Sequence, residues 1–301
     1  MNKFFIKLFN KSKYHKIKNE LQQINNRNFY DKQVIPKLNE ISEAIKTKKK
    51  LTFLHSGHLG DIINSLPLIK EISKNSQCCL YLEVKKQKPK EVANDGHPFG
   101  NYYLSKDAVN KLIPLLKNQK YISKVQIYDS QKVDINLNLF REWPINFNID
   151  SVRWYFHITG IHSNLINPYI DVDSHKTVKN RIVIMRSMRR QNNMISYNFL
   201  NKYEDSLFVG LKSEYDDLKK VIKNLEHYEC NDFLELASII KSSKVFIGNL
   251  SFGYALAESI KVKRLLESGP SFPLVYPNGK NADDFYFQKH FENLFKKLYN
   301  N

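Results

Sequence analysis

The sequence predicts an α/β protein of two successive Rossmann-like halves preceded by a basic, mostly helical extension. Three observations carry this. Short β-branched runs alternate with amphipathic helical patterns twice along the chain, which is the signature of parallel sheets covered by helices. No repeat of 20–50 residues is present, so a solenoid is excluded. The 301 residues, 42% of them apolar and 13% aromatic, suffice for two cores of ordinary size.

The extension, residues 1–50, carries 13 Lys and Arg against the four acids Glu20, Asp31, Glu40 and Glu43, more than half of the net +17 of the chain. Phe4, Phe5, Leu8 and Phe9 fall at helical spacing between Lys3, Lys7 and Lys11. Such a segment suits an anionic membrane surface. The more ordinary reading is a solvated helix packing its apolar stripe on its own domain.

The first α/β half is expected over 51–175. Leu51–Leu54 reads as a strand, His55-Ser-Gly-His-Leu-Gly-Asp61 as a turn, and Ile62, Ile63, Leu66, Ile69 and Ile72 as one helix face with Pro67 inside it. Cys78–Val84 is the next strand, completing a βαβ unit. Ala108–Leu116 reads as helix, Val125–Tyr128 as strand, Asn146–Asp150 as loop and Val152–Ile158 as helix. Asn167–Ser174 has the composition of a linker.

The second half is expected over 176–275. Strands are expected at Arg181–Met185, Leu207–Gly210, Lys244–Gly248 and Arg264–Glu267. Helices are expected at Ser213–Leu225, at Phe233–Ile240 capped by Asp232, and at Phe252–Ile260. Residues 276–301 read as a helical tail.

Several function classes are excluded by composition. Aromatic and branched residues are too many for a disordered chain, and no apolar run approaches the roughly 20 residues of a membrane span. Cys78, Cys79 and Cys230 lack zinc-ligand spacing and read as reduced thiols. The amino-terminal stretch is broken by Lys7 and lacks a cleavage site, so the expected location is cytoplasmic, at the inner membrane face if the extension binds there. A pI near 9.5 suits nucleic acid, yet no nucleic-acid-binding module accompanies it, and that partner is not indicated.

Ligands of parallel sheets bind at strand carboxyl ends. The first such end carries His55, Gly57, His58, Gly60 and Asp61. Its glycines admit close approach of a ligand and its histidines have suitable basicity. Asp61 is either a helix-capping carboxylate or a general base. The second carries Arg186, Ser187, Arg189 and Arg190, suited to a phosphate or else a solvated basic loop. Gly248-Asn-Leu-Ser-Phe-Gly253, with Asn249 and Ser251, would cradle a diphosphate at a helix start, or make an ordinary turn. Gly210 ends a further strand. Glu214, Glu258 and Glu267 read as surface or capping carboxylates.

His58-Leu-Gly-Asp-Ile-Ile-Asn-Ser-Leu-Pro-Leu-Ile resembles the amino-terminal motif of the family 9 glycosyltransferases, the ADP-heptose:lipopolysaccharide heptosyltransferases. Asp232-Phe-Leu-Glu-Leu-Ala-Ser-Ile-Ile-Lys-Ser-Ser-Lys-Val-Phe-Ile-Gly-Asn-Leu-Ser resembles their donor-site segment. Leu250 stands where the family commonly has Asp, and Arg186-Ser-Met-Arg where it has Gly and Lys, as in a divergent branch.

The resemblance implies a GT-B fold, two Rossmann-like domains facing a cleft. It implies inverting, metal-independent transfer from a nucleotide-sugar to a glycan or lipid-linked hydroxyl, in lipopolysaccharide or surface-glycan synthesis, without a further cofactor. In that frame Asp61 and His58 are catalytic, and His55, Gly57 and Gly60 meet the acceptor. Arg186, Ser187, Arg189, Gly210, Asn249, Ser251 and Glu258 hold the donor. The alternatives are a non-catalytic or epimerase-type nucleotide-sugar binder, and a basic peripheral-membrane or nucleic-acid adaptor.

Overall fold

The computed structural model describes residues 7, 10–90, 97–143, 149–269 and 275–300. Phe4, Phe5, Leu8 and Phe9 of the expected apolar stripe, and most of the loop expected at Asn146–Asp150, lie outside them. The chain divides into two compact units, 1–48 and 49–301.

In the first unit, α1 spans Lys11–Phe29 and opens on Asn10, whose side chain accepts from the Lys13 amide at 2.8 Å. A π-helical turn, Tyr30–Val34, leads into α2, Ile35–Thr47, with proline in its first turn. Val34, Ile41 and Ala44 are buried at helical spacing, whereas α1 buries no residue at all.

The second unit starts with β1 (Lys50–His55), α3 (Leu59–Ile72), β2 (Gln77–Leu82), α4 (Lys106–Lys117), β3 (Lys124–Ile127), β4 (Ile135–Asn136), α5 (Leu139–Glu142) and α6 (Ser151–Thr159). These strands form a parallel sheet in the order β3-β2-β1-β4, with Phe53 opposite both Leu80 and Ile135. There follow β5 (Ile182–Met185), β6 (Ser206–Val209), α7 (Lys212–Lys219), β7 (Glu226–Tyr228), α8 (Phe233–Lys241), β8 (Val245–Asn249), α9 (Phe252–Ile260), β9 (Arg264–Glu267), β10 (Ala282–Phe285) and α10 (Gln288–Asn300). The second sheet, also parallel, has the order β10-β9-β8-β5-β6-β7.

The α/β expectation therefore stands, with differences at the margins. Residues 276–301 are no appended tail: β10 pairs with β9, and Phe291, Phe295 and Leu298 of α10 enter the core with Ile184, Phe208 and Ile247. Both sheets lie within one compact unit, joined by α3 packed on α9 and α4 on α8. The linker is strapped down on both sides. Lys70 Nζ donates to Pro168 O at 2.9 Å and Tyr121 Oη to Tyr169 O at 2.6 Å, while the Tyr169 amide donates to Ser259 O at 3.0 Å.

Burial of α10 generates a test. Phe291 is fully buried and stacks on Phe285 with centroids 4.0 Å apart. Phe291→Ala is expected to cost about 3–5 kcal/mol in urea unfolding, where a loosely attached tail would lose nothing.

Candidate active site

At the carboxyl end of β1 the chain turns through Ser56 and Gly57 into α3. Asp61 caps this helix, since its Oδ2 accepts from the His58 amide at 3.0 Å. The capping reading is thus observed, but the carboxylate has a second partner. Arg141 of α5, which sequence reasoning missed, donates from Nη2 to the same Oδ2. Phe140 and Tyr103 flank the guanidinium, their ring centroids 4.3 and 4.8 Å away. Oδ1 of Asp61 takes none of these bonds, and the side chain is 23% exposed. Burial pushes its pKa up, but the charge of the Arg141 guanidinium, with its hydrogen bond, outweighs that. Asp61 is held below the ordinary carboxylate range and is ionised at neutral pH.

His58 Nδ1 lies 2.9 Å from the carbonyl oxygen of Tyr103, which only accepts, so Nδ1 carries the proton and Nε2 the lone pair. Burial chiefly, aided by Arg141 and Lys88 against the pull of Asp61, lowers its pKa to about 4. It is a neutral imidazole stacked on His97 at 4.1 Å. His55 is different. The Gly57 amide donates to its Nδ1 at 2.9 Å, so its Nε2 donates to Tyr155 Oη at 2.9 Å, which donates onward to Asp61 O at 2.9 Å. Fully buried, with burial first among the causes that lower its pKa to about 3, His55 has no group left for an acceptor. It is a strut under Asp61, which corrects its expected role.

Packing requires a glycine at position 57 but not at 60. A Cβ on Gly57 would collide with Arg141 Nη1 and come within 2.7 Å of His55, so this glycine makes room for the guanidinium. A Cβ on Gly60 would lie 4.0 Å from Phe252 and Ala255 of α9, in ordinary contact. Gly60 is therefore where the first turn of α3 meets the first turn of α9.

On the second sheet three expected donor ligands are spent internally. Arg186 makes a bidentate pair with Glu267, at 2.7 and 2.8 Å, above the ring of Tyr197. Glu267 is fully buried and also accepts from the Asn192 amide at 2.6 Å and from Tyr197 Oη at 2.8 Å. The bonds of Arg186 commit Nε and Nη2 of its guanidinium to the fold. Asn249 clasps the backbone of Ser187, accepting from its amide at 2.8 Å and donating to its carbonyl at 2.6 Å. Glu258 accepts from Lys261 on one oxygen and from Arg264 Nε, at 2.6 Å, on the other. A buried charge left unpaired would be costly, so these residues shape the loops.

What remains open is the start of α9. The Ser251 side chain does not cap the helix, and its Oγ is buried with no hydrogen-bond partner. The first backbone amides of any helix lack intrahelical acceptors and favour an anion. Gly253 of α9 is buried, packed against the side chain of Met185, which would have to shift to admit a Cβ. Beside it, the Met188 amide donates to Glu214 Oε1 at 3.3 Å, and burial raises the Glu214 pKa. Arg189 adds positive charge near Glu214. Gly210, at φ +147°, turns the chain out of β6 towards Glu214 in a conformation that favours glycine.

No family model matches the sequence, and no curated protein is similar to it. Solved structures are. A family 9 glycosyl transferase from Veillonella parvula superposes with a TM-score of 0.54 at 12% identity, over 83% of this chain and 89% of that chain. The E. coli ADP-heptose lipopolysaccharide heptosyltransferase II does so with a TM-score of 0.51 at 11% identity, over 83% and 98%. The fold is that of the family 9 glycosyltransferases. In this fold both clusters lie at strand carboxyl ends, where parallel sheets bind ligands. Among the described residues no group of three or more His, Cys, Asp and Glu is arranged to hold a metal ion, and no helix is long and apolar enough to cross a membrane. Burial raises the thiol pKa of Cys78 and of Cys230 to about 12, so neither is a ready nucleophile.

The Arg186–Glu267 pair generates a test of its own. Arg186→Ala leaves a carboxylate buried and unpaired, and is expected to destabilise the protein by about 3–5 kcal/mol in urea. A solvent-facing phosphate ligand would leave unfolding unchanged.

Proposed function

We infer that the chain is an inverting, metal-independent glycosyltransferase, moving a sugar from a nucleotide-sugar donor to a hydroxyl of a glycan or glycolipid. The observation that carries this reading is the contact at Gly60. It brings Gly60, the neighbour of Asp61 in the first turn of α3, against Phe252 and Ala255 in the first turn of α9. Inversion needs a base on one face of the sugar and a stabilised leaving group on the other.

Asp61 Oδ1 accepts the proton of the acceptor hydroxyl as its oxygen attacks the anomeric carbon. The bond from that carbon to the diphosphate breaks, and the nucleoside diphosphate leaves with the electron pair. Its charge is met by the α9 amides, Ser251 Oγ and Arg189. Glu214 is placed to accept from a hydroxyl of the nucleotide. Neutral His58 accepts a hydrogen bond from the acceptor through Nε2. Oδ2 stays on Arg141, so the base is fixed in orientation while it works. A glycolipid acceptor of the lipopolysaccharide kind would be met at the cytoplasmic membrane face, to which the basic extension is suited.

Asp61→Asn keeps the cap acceptor but removes the base. It is expected to lower transfer about 10²–10⁴-fold while thermal stabilisation by nucleoside diphosphates persists. Undiminished transfer removes Asp61 from the mechanism, and absence of any nucleotide stabilisation in the parent protein removes the donor site. The pH profile tests Arg141. Asp61 must be ionised, and its lowered pKa keeps the rate up until the pH falls below the usual carboxylate range. In Arg141→Gln, burial acts with less opposition, the pKa rises, and the acid limb of kcat/KM is expected at higher pH.

A further inference from the structure

We propose that α1 docks on an anionic bilayer surface through the face carrying Tyr14, Ile17, Leu21 and Ile24. This deepens the reading of a glycolipid acceptor, yet it rests on different residues from the expected Phe4–Phe9 stripe. The four residues recur at i, i+3, i+7 and i+10, so they form one narrow stripe. Among the described residues α1 buries none: Tyr14 and Ile17 are half-buried, Leu21 is 37% exposed and Ile24 55%. Asn19, Gln22, Gln23, Asn25, Asn26 and Asn28 crowd the same helix, and asparagine is a poor helix former. A helix of that composition without tertiary burial is marginal in water and gains its stability from a partner.

Charge chooses the partner. Lys11, Lys13, Lys16, Lys18 and Arg27 stand against Glu20 alone in α1. On a helical wheel Lys13 and Lys18 flank the stripe on either side, where long side chains reach headgroups while the apolar residues enter the acyl boundary. A second copy of the helix would bring these like charges together. An anionic surface relieves them.

The test is co-sedimentation of the full chain with vesicles of equal parts phosphatidylglycerol and phosphatidylcholine, against phosphatidylcholine alone. Binding is expected only to the anionic vesicles. Lys13→Gln/Lys18→Gln is expected to weaken it about thirty-fold, and Leu21→Gln/Ile24→Gln about tenfold or more. Equal binding to both vesicle types, or parent-like binding by the Leu21→Gln/Ile24→Gln variant, overturns the proposal. So does a concentration-dependent dimer in light scattering that this variant abolishes, which assigns the stripe to a second copy. The assay needs neither donor nor acceptor, so its failure leaves the transferase reading standing, and loss of transfer leaves vesicle binding unaffected.

Discussion

One carboxylate, Asp61, holds the front of the site together by accepting from two donors at a single oxygen. The His58 amide fixes it to the start of α3, and the Arg141 guanidinium fixes its charge. Neighbouring residues follow from this pairing. Gly57 lacks a side chain because the guanidinium passes there, and Phe140 and Tyr103 flank it. His55 and Tyr155 support the Asp61 carbonyl from below. A charge so held costs little to keep ionised while its second oxygen stays available.

The rear edge obeys the opposite economy. Its arginines and carboxylates are mostly matched to each other inside the fold, Arg186 with Glu267 and Arg264 with Glu258. Buried pairs of this kind add little net stability over apolar residues, but they fit only one loop arrangement. Here that arrangement holds the loop after β5 against the start of α9, with Asn249 as the clasp. The groups then left for an anion are few and neutral or partly charged: backbone amides and one hydroxyl.

Much of the architecture was legible along the chain. The strands at Arg181–Met185 and Lys244–Gly248 and the helix at Phe252–Ile260 show apolar content enough to read. β4 with two residues and β7 with three are too short for any period to register. β10 carries Asp283 and Asp284, so it reads as loop until its pairing with β9 is seen. The one-turn helix α5 gave no signal either, and Arg141 was hidden with it.

The candidate site was half legible for a related reason. Local order along the chain determined that Asp61 opens a helix after a glycine-containing turn, and that Ser251 opens another. Both facts depend on neighbours within a few residues. Whether a charge is free or spent depends on groups far away in sequence, 80 residues for Arg141 and Asp61 and 81 for Arg186 and Glu267. Only the tertiary structure decided that His55, Arg186, Asn249 and Glu258 are internal struts and that Arg141 belongs to the site. Hydrogen bonds and ion pairs act through space over about 3 Å, and a sequence does not record which distant partner fills that space.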